Sequence, residues 1–278
     1  MNRRIRFAVL FVMLMAAGLA SGATVDGIQL HSSSHGTGSK TVILVHGWTC
    51  DETTWDSQVQ VLSKQYRVLT LDLPGHGKSA SPKDGVFSME LFAKAVEAVR
   101  TEAKADKVVL VGHSMGTPVV IQYARMFPQH TAALVFVDGL VRIGGGGRGG
   151  SAPDPQQAGG PGGRKYRENM IRGMFSASTT EAMQSHILNM MLGAPEATAV
   201  GAMKATFAFA SPKDEVIKLP VLGLYADHSG LGADREFMKA TYPNLQYVEI
   251  PGTGHFLMME KADEFNRRVL DFLKTVTF

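Results

Sequence analysis

Val108-Val109-Leu110-Val111-Gly112-His113-Ser114-Met115-Gly116 is the stretch on which the reading of this chain turns. Its opening run is apolar and mostly β-branched, the signature of a short strand buried on both faces. The run leads into G-x-S-x-G, and from Thr117 to Met126 the apolar spacing becomes helical. A serine on such a strand-to-helix turn takes a strained backbone conformation that lifts its hydroxyl clear of the sheet. Side chains two residues to either side would collide there, so Gly112 and Gly116 keep those places empty. The helix behind the serine aims its N-terminal amides at negative charge developing nearby. G-x-S-x-G alone is a weak pattern; with the strand before it and the helix after it, Ser114 becomes a candidate nucleophile.

The same rhythm extends in both directions. Thr41–Val45, Tyr66–Leu71, Lys107–Val111, Ala133–Val137, Val221–Tyr225 and Leu245–Ile250 are short, nearly continuous apolar runs. Helix-length patterns at Ser88–Ala103, Thr117–Met126 and Asp263–Lys274 separate or follow them. This alternation predicts an α/β fold, with a mostly parallel central sheet flanked by helices. Residues 140–215 break the pattern. Residues 144–163 hold ten of the 30 glycines and three prolines, a composition expected of a mobile loop. Helical patterns follow at Lys165–Phe175, Thr179–Leu192 and Pro195–Ala210. The expected organisation is therefore a core of residues 24–139 and 216–278, with 140–215 forming a glycine-rich loop plus a helical cap. Six of the 15 methionines lie between Met170 and Met203. They read either as an adaptable apolar wall over a substrate pocket, with Met170 and Met174 lining it, or as ordinary packing of cap on body.

Composition bounds the function classes. With 278 residues, 45% hydrophobic, 19% charged and a mean hydropathy of +0.01, the chain is neither disordered, collagenous nor a coiled coil as a whole. The formal charge of +3 depends on Arg3, Arg4 and Arg6; without residues 1–22 the chain carries 25 basic and 25 acidic side chains. That balance offers no broad electrostatic footprint for nucleic acid or acidic lipid. Residues 1–23 read as a secretory signal peptide: the three arginines, an uncharged run from Phe7 to Ala20, then the small residues Ala20-Ser21-Gly22-Ala23. The run falls short of the roughly 20 residues that span a bilayer as a helix, so export without stable membrane insertion is expected, to periplasm or medium. The lone cysteine, Cys50, rules out a disulfide within the chain and reads as a small buried apolar residue. No two of the nine histidines stand in a metal-binding pattern such as H-E-x-x-H.

Four further motifs, in order, give the chain its resemblance to a known family. His46-Gly47-Trp48 follows the first clear strand, and Asp72-Leu73-Pro74-Gly75-His76-Gly77-Lys78-Ser79 follows the next. Gly112–Gly116 comes third, and Gly252-Thr253-Gly254-His255-Phe256 follows the last strand. Over most of residues 40–278 the chain resembles the serine-nucleophile hydrolases of the α/β-hydrolase fold, esterase-like and with a helical cap. The resemblance implies Ser114 as nucleophile, His255 as general base, and an oxyanion hole of the main-chain N–H groups of Trp48 and Met115. The Trp48 side chain reads either as a candidate for lining the substrate pocket or as plain core. His46 and His113 become supporting residues, and His76, in a tight turn, reads as structural. The acid departs from the commonest pattern: aligning the turn after Val221–Tyr225 puts Ser229 at its usual place and Asp227 two residues early. Some members carry the acid one strand earlier, where this chain has Asp138. Asp138 is favoured because such sites gather at the C-terminal ends of strands; Asp227 stays as the alternative.

The expected activity is hydrolysis of a carboxylic ester, or a related activated acyl bond in a small-molecule substrate, through an acyl-enzyme on Ser114. The implied chemistry needs no cofactor and no metal. A lactonase, an amidase or a carbon–carbon bond hydrolase would use nearly the same residues, and a low-turnover ligand-binding protein of the same fold is the reading from a different class.

Overall fold

Paired edge to edge, the apolar runs build one sheet. The computed structural model describes residues 22–142, 154–212, 214–227 and 235–278. A small hairpin of β1 (Thr24–Val25) and β2 (Ile28–Gln29) comes first. The main sheet follows with β3 (Ser32–His35), β4 (Thr41–Val45), β5 (Arg67–Leu71), β6 (Val108–His113), β7 (Thr131–Val137), β8 (Val221–Ala226) and β9 (Leu245–Ile250). Its spatial order is β3-β5-β4-β6-β7-β8-β9, parallel throughout except for β3 against β5. β4, β6, β7 and β8 are buried along their whole length, as strands covered on both faces must be.

Helices α1 (Asp56–Leu62), α2 (Met89–Glu102) and α3 (Gly116–Met126) lie between the early strands. Ser88 starts α2 by accepting the Leu91 amide on its hydroxyl at 3.0 Å, and the helix buries Phe92, Val96 and Val99. Helices α4 (Gly163–Arg172), α5 (Glu181–Gly193) and α6 (Glu196–Phe207) form an insertion between β7 and β8. α7 (Arg235–Thr241), α8 (Leu257–Glu260) and α9 (Ala262–Thr275) complete the chain.

The topology decides where a site can form. From β4 the chain steps outward to β5, then crosses back to place β6 on the other side of β4. At that reversal the loops leaving β4 and β6 diverge and open a crevice beyond the carboxyl ends of the strands. His46–Thr49, Ser114, Asp138 and the 251–255 segment all follow strand C-termini along this one edge.

Several features depart from the sequence reading. β3 is Ser-Ser-Ser-His, which has no apolar run; it is a half-exposed edge strand held by main-chain pairing from Ser32↔Leu71 to His35↔Val68. The short helix α1 was likewise not marked by the apolar pattern. Within the glycine-rich stretch, residues 143–153 lie outside the described residues, as do residues 1–21 of the expected signal peptide. The described remainder, residues 154–163, is mostly exposed and runs through a short 3-10 turn and bends, with Ala158 and Gly163 buried. Asp154 accepts the Gln156 amide to start a short 3-10 turn, Ala158 is fully buried, and Gly160 N donates to Glu196 Oε1 at 2.9 Å.

The closeness of β6 to α3 can be tested. A Cβ on Gly112 would lie 2.3 Å from the Gly116 carbonyl oxygen, main chain that cannot swing away. Gly112→Ala is expected to lower the free energy of unfolding in urea by about 1–3 kcal/mol. Gly193→Ala in α5, where the methyl meets open space, should raise it by up to about 1 kcal/mol. Equal changes at the two sites would refute this account of the packing.

Candidate active site

β6 ends in a bend that few residues tolerate. Ser114 has φ +52°, a left-handed conformation that costs a non-glycine residue about 1–3 kcal/mol unless its surroundings enforce it. Here they do. Ser114 N–H donates to Val137 O at 2.9 Å, Thr117 N–H donates to Ser114 O at 3.0 Å, and the Thr117 hydroxyl donates to Gly112 O at 2.8 Å. A Cβ on Gly116 would lie 2.4 Å from Val45 O, and one on Gly139 would lie 2.6 Å from Ser114 O. The Ser114 side chain is half-buried at the crevice.

The loop after β4 is pressed against this bend. A Cβ on Gly47 would stand 3.0 Å from Ser114 Cβ, so glycine lets the loop sit this near without pushing the serine aside. Cys50 N–H donates to Gly47 O at 3.2 Å, closing a turn that holds Thr49 at φ +55°, an outlier for a β-branched residue. The buried Asp72 carboxylate ties this loop to the turn after β5 by accepting the amides of Glu52 and Lys78, each at 2.8 Å. The Trp48 indole N–H donates to Ala199 O of α6 at 2.7 Å, which fixes its side chain against the insertion. Among the described residues, no acceptor is paired with the main-chain N–H of Trp48 or of Met115.

Beyond β7, Asp138 is fully buried at φ +41°, and its amide donates to Leu224 O at 2.8 Å. Its Oδ1 accepts the Ala226 amide at 3.1 Å, and its Oδ2 lies 2.7 Å from His255 Nδ1. The carboxylate accepts a hydrogen bond from Nδ1–H, which leaves the lone pair on Nε2. His255 is thus joined to Asp138, one strand earlier than the commonest pattern. The Asp227 carboxylate instead accepts the Gly252 amide at 3.0 Å at the exposed rim, and Ser229 lies outside the described residues. His255 is held by its main chain from two sides: its carbonyl accepts from His113 Nε2 at 2.9 Å, and its amide donates to Met174 O at 3.0 Å. Met170 lies half-buried on α4, four residues before Met174.

Sequence reasoning passed over Glu260. Its Oε2 accepts the Gly254 amide at 2.5 Å and the Ser176 hydroxyl at 2.9 Å, while Oε1 accepts the Thr179 hydroxyl at 2.5 Å. The one available signal was a single acid closing the apolar run Phe256-Leu257-Met258-Met259. Among the described residues no group of three or more His, Cys, Asp or Glu is arranged to hold a metal ion.

Burial sets the charge state of the surrounding groups. It pushes His113 well below the ordinary histidine value, with His255 adding to the effect. It takes His76 down to about 3 and lowers His46, against a pull upward from Asp72. It also raises the Cys50 thiol to about 12, which keeps that sulfur protonated and unreactive in the fold. These three histidines accept protons more readily in the unfolded chain, whose ordinary value is about 6.5. Stability is therefore full above that pH and declines as the pH falls through it toward the lowered folded values. Between about pH 6.5 and 5, above the carboxylate range, the urea midpoint should fall with acidification. A flat profile in that window would show that the histidines are already charged in the native state.

The model of the alpha/beta hydrolase family matches residues 42–268. A 2-hydroxy-6-oxononadienedioate/2-hydroxy-6-oxononatrienedioate hydrolase of Cupriavidus pinatubonensis strain JMP 134 is 28% identical over 290 aligned residues, spanning 92% of this chain and 96% of that protein. A thermophilic esterase from Thermogutta terrifontis superposes with a TM-score of 0.81 at 27% identity, covering 91% of this chain and 96% of that structure. The enol-lactonase from Burkholderia xenovorans LB400 shares the fold, with a TM-score of 0.81 at 24% identity over 91% of this chain and 99% of its own. A family match that runs from β4 into α9, over a sheet of this topology, establishes that the chain belongs to the alpha/beta hydrolase family and is a hydrolase.

Proposed function

We propose that this hydrolase cleaves a carboxylic ester, or a closely related activated acyl bond, through an acyl-enzyme on Ser114. The observation that carries the reading is the 2.7 Å contact of His255 Nδ1 with a fully buried Asp138 carboxylate, on the strand edge where Ser114 bends outward. Ser114 Oγ attacks the carbonyl carbon and passes its proton to His255 Nε2. The oxyanion is received by the amides of Trp48 and Met115, each worth roughly a hundredfold or more in rate. Collapse expels the alcohol, which leaves with the proton from Nε2. Water then gives a proton to Nε2, attacks the acyl carbon, and releases the acid as Ser114 regains its hydrogen. Asp138 holds the ring in the required tautomer and stabilises the transient imidazolium.

In this proposal helices α4–α6 act as a cap, and Trp48, Met170 and Met174 line the space for a small or medium substrate with a hydrophobic part. Residues 1–23 direct export before the enzyme acts. Likeness to the Thermogutta terrifontis esterase supports the ester reading. One alternative has its own support, cleavage of a carbon–carbon bond, since the Cupriavidus hydrolase aligns over nearly its whole length.

Turnover of p-nitrophenyl esters, lactones and a dienoic 2-hydroxy-6-oxo acid should be compared on the mature protein with a Ser114→Ala control. The ester is expected to turn over fastest, and Ser114→Ala to lose both turnover and labelling by a fluorophosphonate. Preference for the dienoic acid would move the assignment to carbon–carbon hydrolysis. Inertness toward every substrate and the label would favour a binding protein. Asp138→Asn should lower kcat by about ten-thousandfold, by analogy with the protease in which that exchange was measured. Asp227→Asn should cost less than about tenfold, because its contact is with the Gly252 amide at the rim. The reverse order would transfer the acid's role to Asp227.

A further inference from the structure

We infer that Glu260 is a positioning residue for His255, and that through it the seating of the α4–α5 connection sets the place of the catalytic base. This deepens the reading of His255 as that base and rests on it.

Residues 174–179, which join α4 to α5, meet the histidine segment at several points. Met174 O accepts the His255 amide at 3.0 Å, and the Ser178 hydroxyl donates to Gly252 O at 2.7 Å. A Cβ on Gly254 would stand 2.6 Å from Met174 O, so the two strands of chain are as close as main chain allows. Between them lies the half-buried Glu260 carboxylate, which gathers the Gly254 amide from one side and the Ser176 and Thr179 hydroxyls from the other. The Thr179 hydroxyl oxygen also accepts the Ser176 amide at 2.8 Å, so the connection is folded around the same group. Only a carboxylate offers acceptors on both oxygens; an amide keeps one oxygen and brings two donors of its own. Gly254 immediately precedes His255, so losing this acceptor loosens the backbone that leads into the residue whose ring meets Asp138.

The test uses Glu260→Ala, Glu260→Gln and the pair Ser176→Ala/Thr179→Ala in the mature protein, with Ser114→Ala and His255→Ala as controls. It follows the rate of fluorophosphonate labelling at Ser114, kcat and KM, the thermal midpoint, and the low-field proton resonance of the His255–Asp138 hydrogen bond. Glu260→Ala is expected to slow labelling and kcat by about ten- to a hundredfold, with KM moved less than about threefold, as misplacement of a reacting group does. The low-field resonance should shift or broaden, and Glu260→Gln should recover part of the loss. The double variant should follow the same direction, although its lost hydroxyls lie on the insertion. If Glu260→Ala fails to fold, the double variant carries the test. A lowered midpoint with wild-type labelling rate and resonance in the folded protein would overturn the proposal and leave Glu260 a brace. Should wild-type protein itself resist labelling, the ester reading fails, while an altered or unaltered resonance still decides what Glu260 does.

Discussion

Everything at the candidate site depends on a left-handed backbone at Ser114 that the neighbouring main chain enforces. Gly112, Gly116 and Gly139 let three segments of chain close around one residue, and an added methyl at any of them would overlap a neighbour. The conformation is strained but has no alternative, because the amide and carbonyl of Ser114 are both committed to hydrogen bonds. Asp138 repeats the device one strand away, at positive φ with its amide on Leu224. Each residue turns out of the sheet directly after its strand ends, so the rigidity of the sheet passes to the side chain with almost no intervening loop.

Electrostatics follow from the same burial. His255 packs against the His113 ring with centroids 4.7 Å apart, and a charge on His113 would oppose any imidazolium forming on His255. Burial holds His113 well below the ordinary histidine range, and its Nε2–H is spent on the His255 carbonyl. His46 and His76 are kept neutral in the same way behind the loop after β4. The Asp138 carboxylate is therefore the charge that meets the His255 ring directly, at 2.7 Å. A buried carboxylate left without partners would cost several kcal/mol, and here the Ala226 amide and the His255 ring supply them.

Membership of the alpha/beta hydrolase family accounts for the sheet and for the order of its loops, and says less about the bond that is cleaved. Relatives named an esterase and a 2-hydroxy-6-oxononadienedioate/2-hydroxy-6-oxononatrienedioate hydrolase align over most of this chain at similar identity. Between β7 and β8 the chain leaves the sheet for inserted material. In this chain that material is α4–α6, bonded to the frame through Trp48 to Ala199, Thr198 to Gly75, and Met174 to His255.

The sheet, the bend and the histidine turn were legible in the chain because each is written in local residues. Buried parallel strands need unbroken apolar runs, a strand-to-helix elbow needs glycines at fixed offsets, and the histidine turn carries its own glycines. β3 and α1 escaped notice for the complementary reason: Ser32–His35 is held by main-chain hydrogen bonds at a sheet edge, and such bonds leave no trace in side-chain type. Tertiary structure alone joined Asp138 to His255, which are 117 residues apart, and left Asp227 at the rim on Gly252. It also brought Glu260 between the histidine segment and residues 176–179. Distances between groups on different loops depend on strand order and twist, which hydrophobic periodicity does not encode.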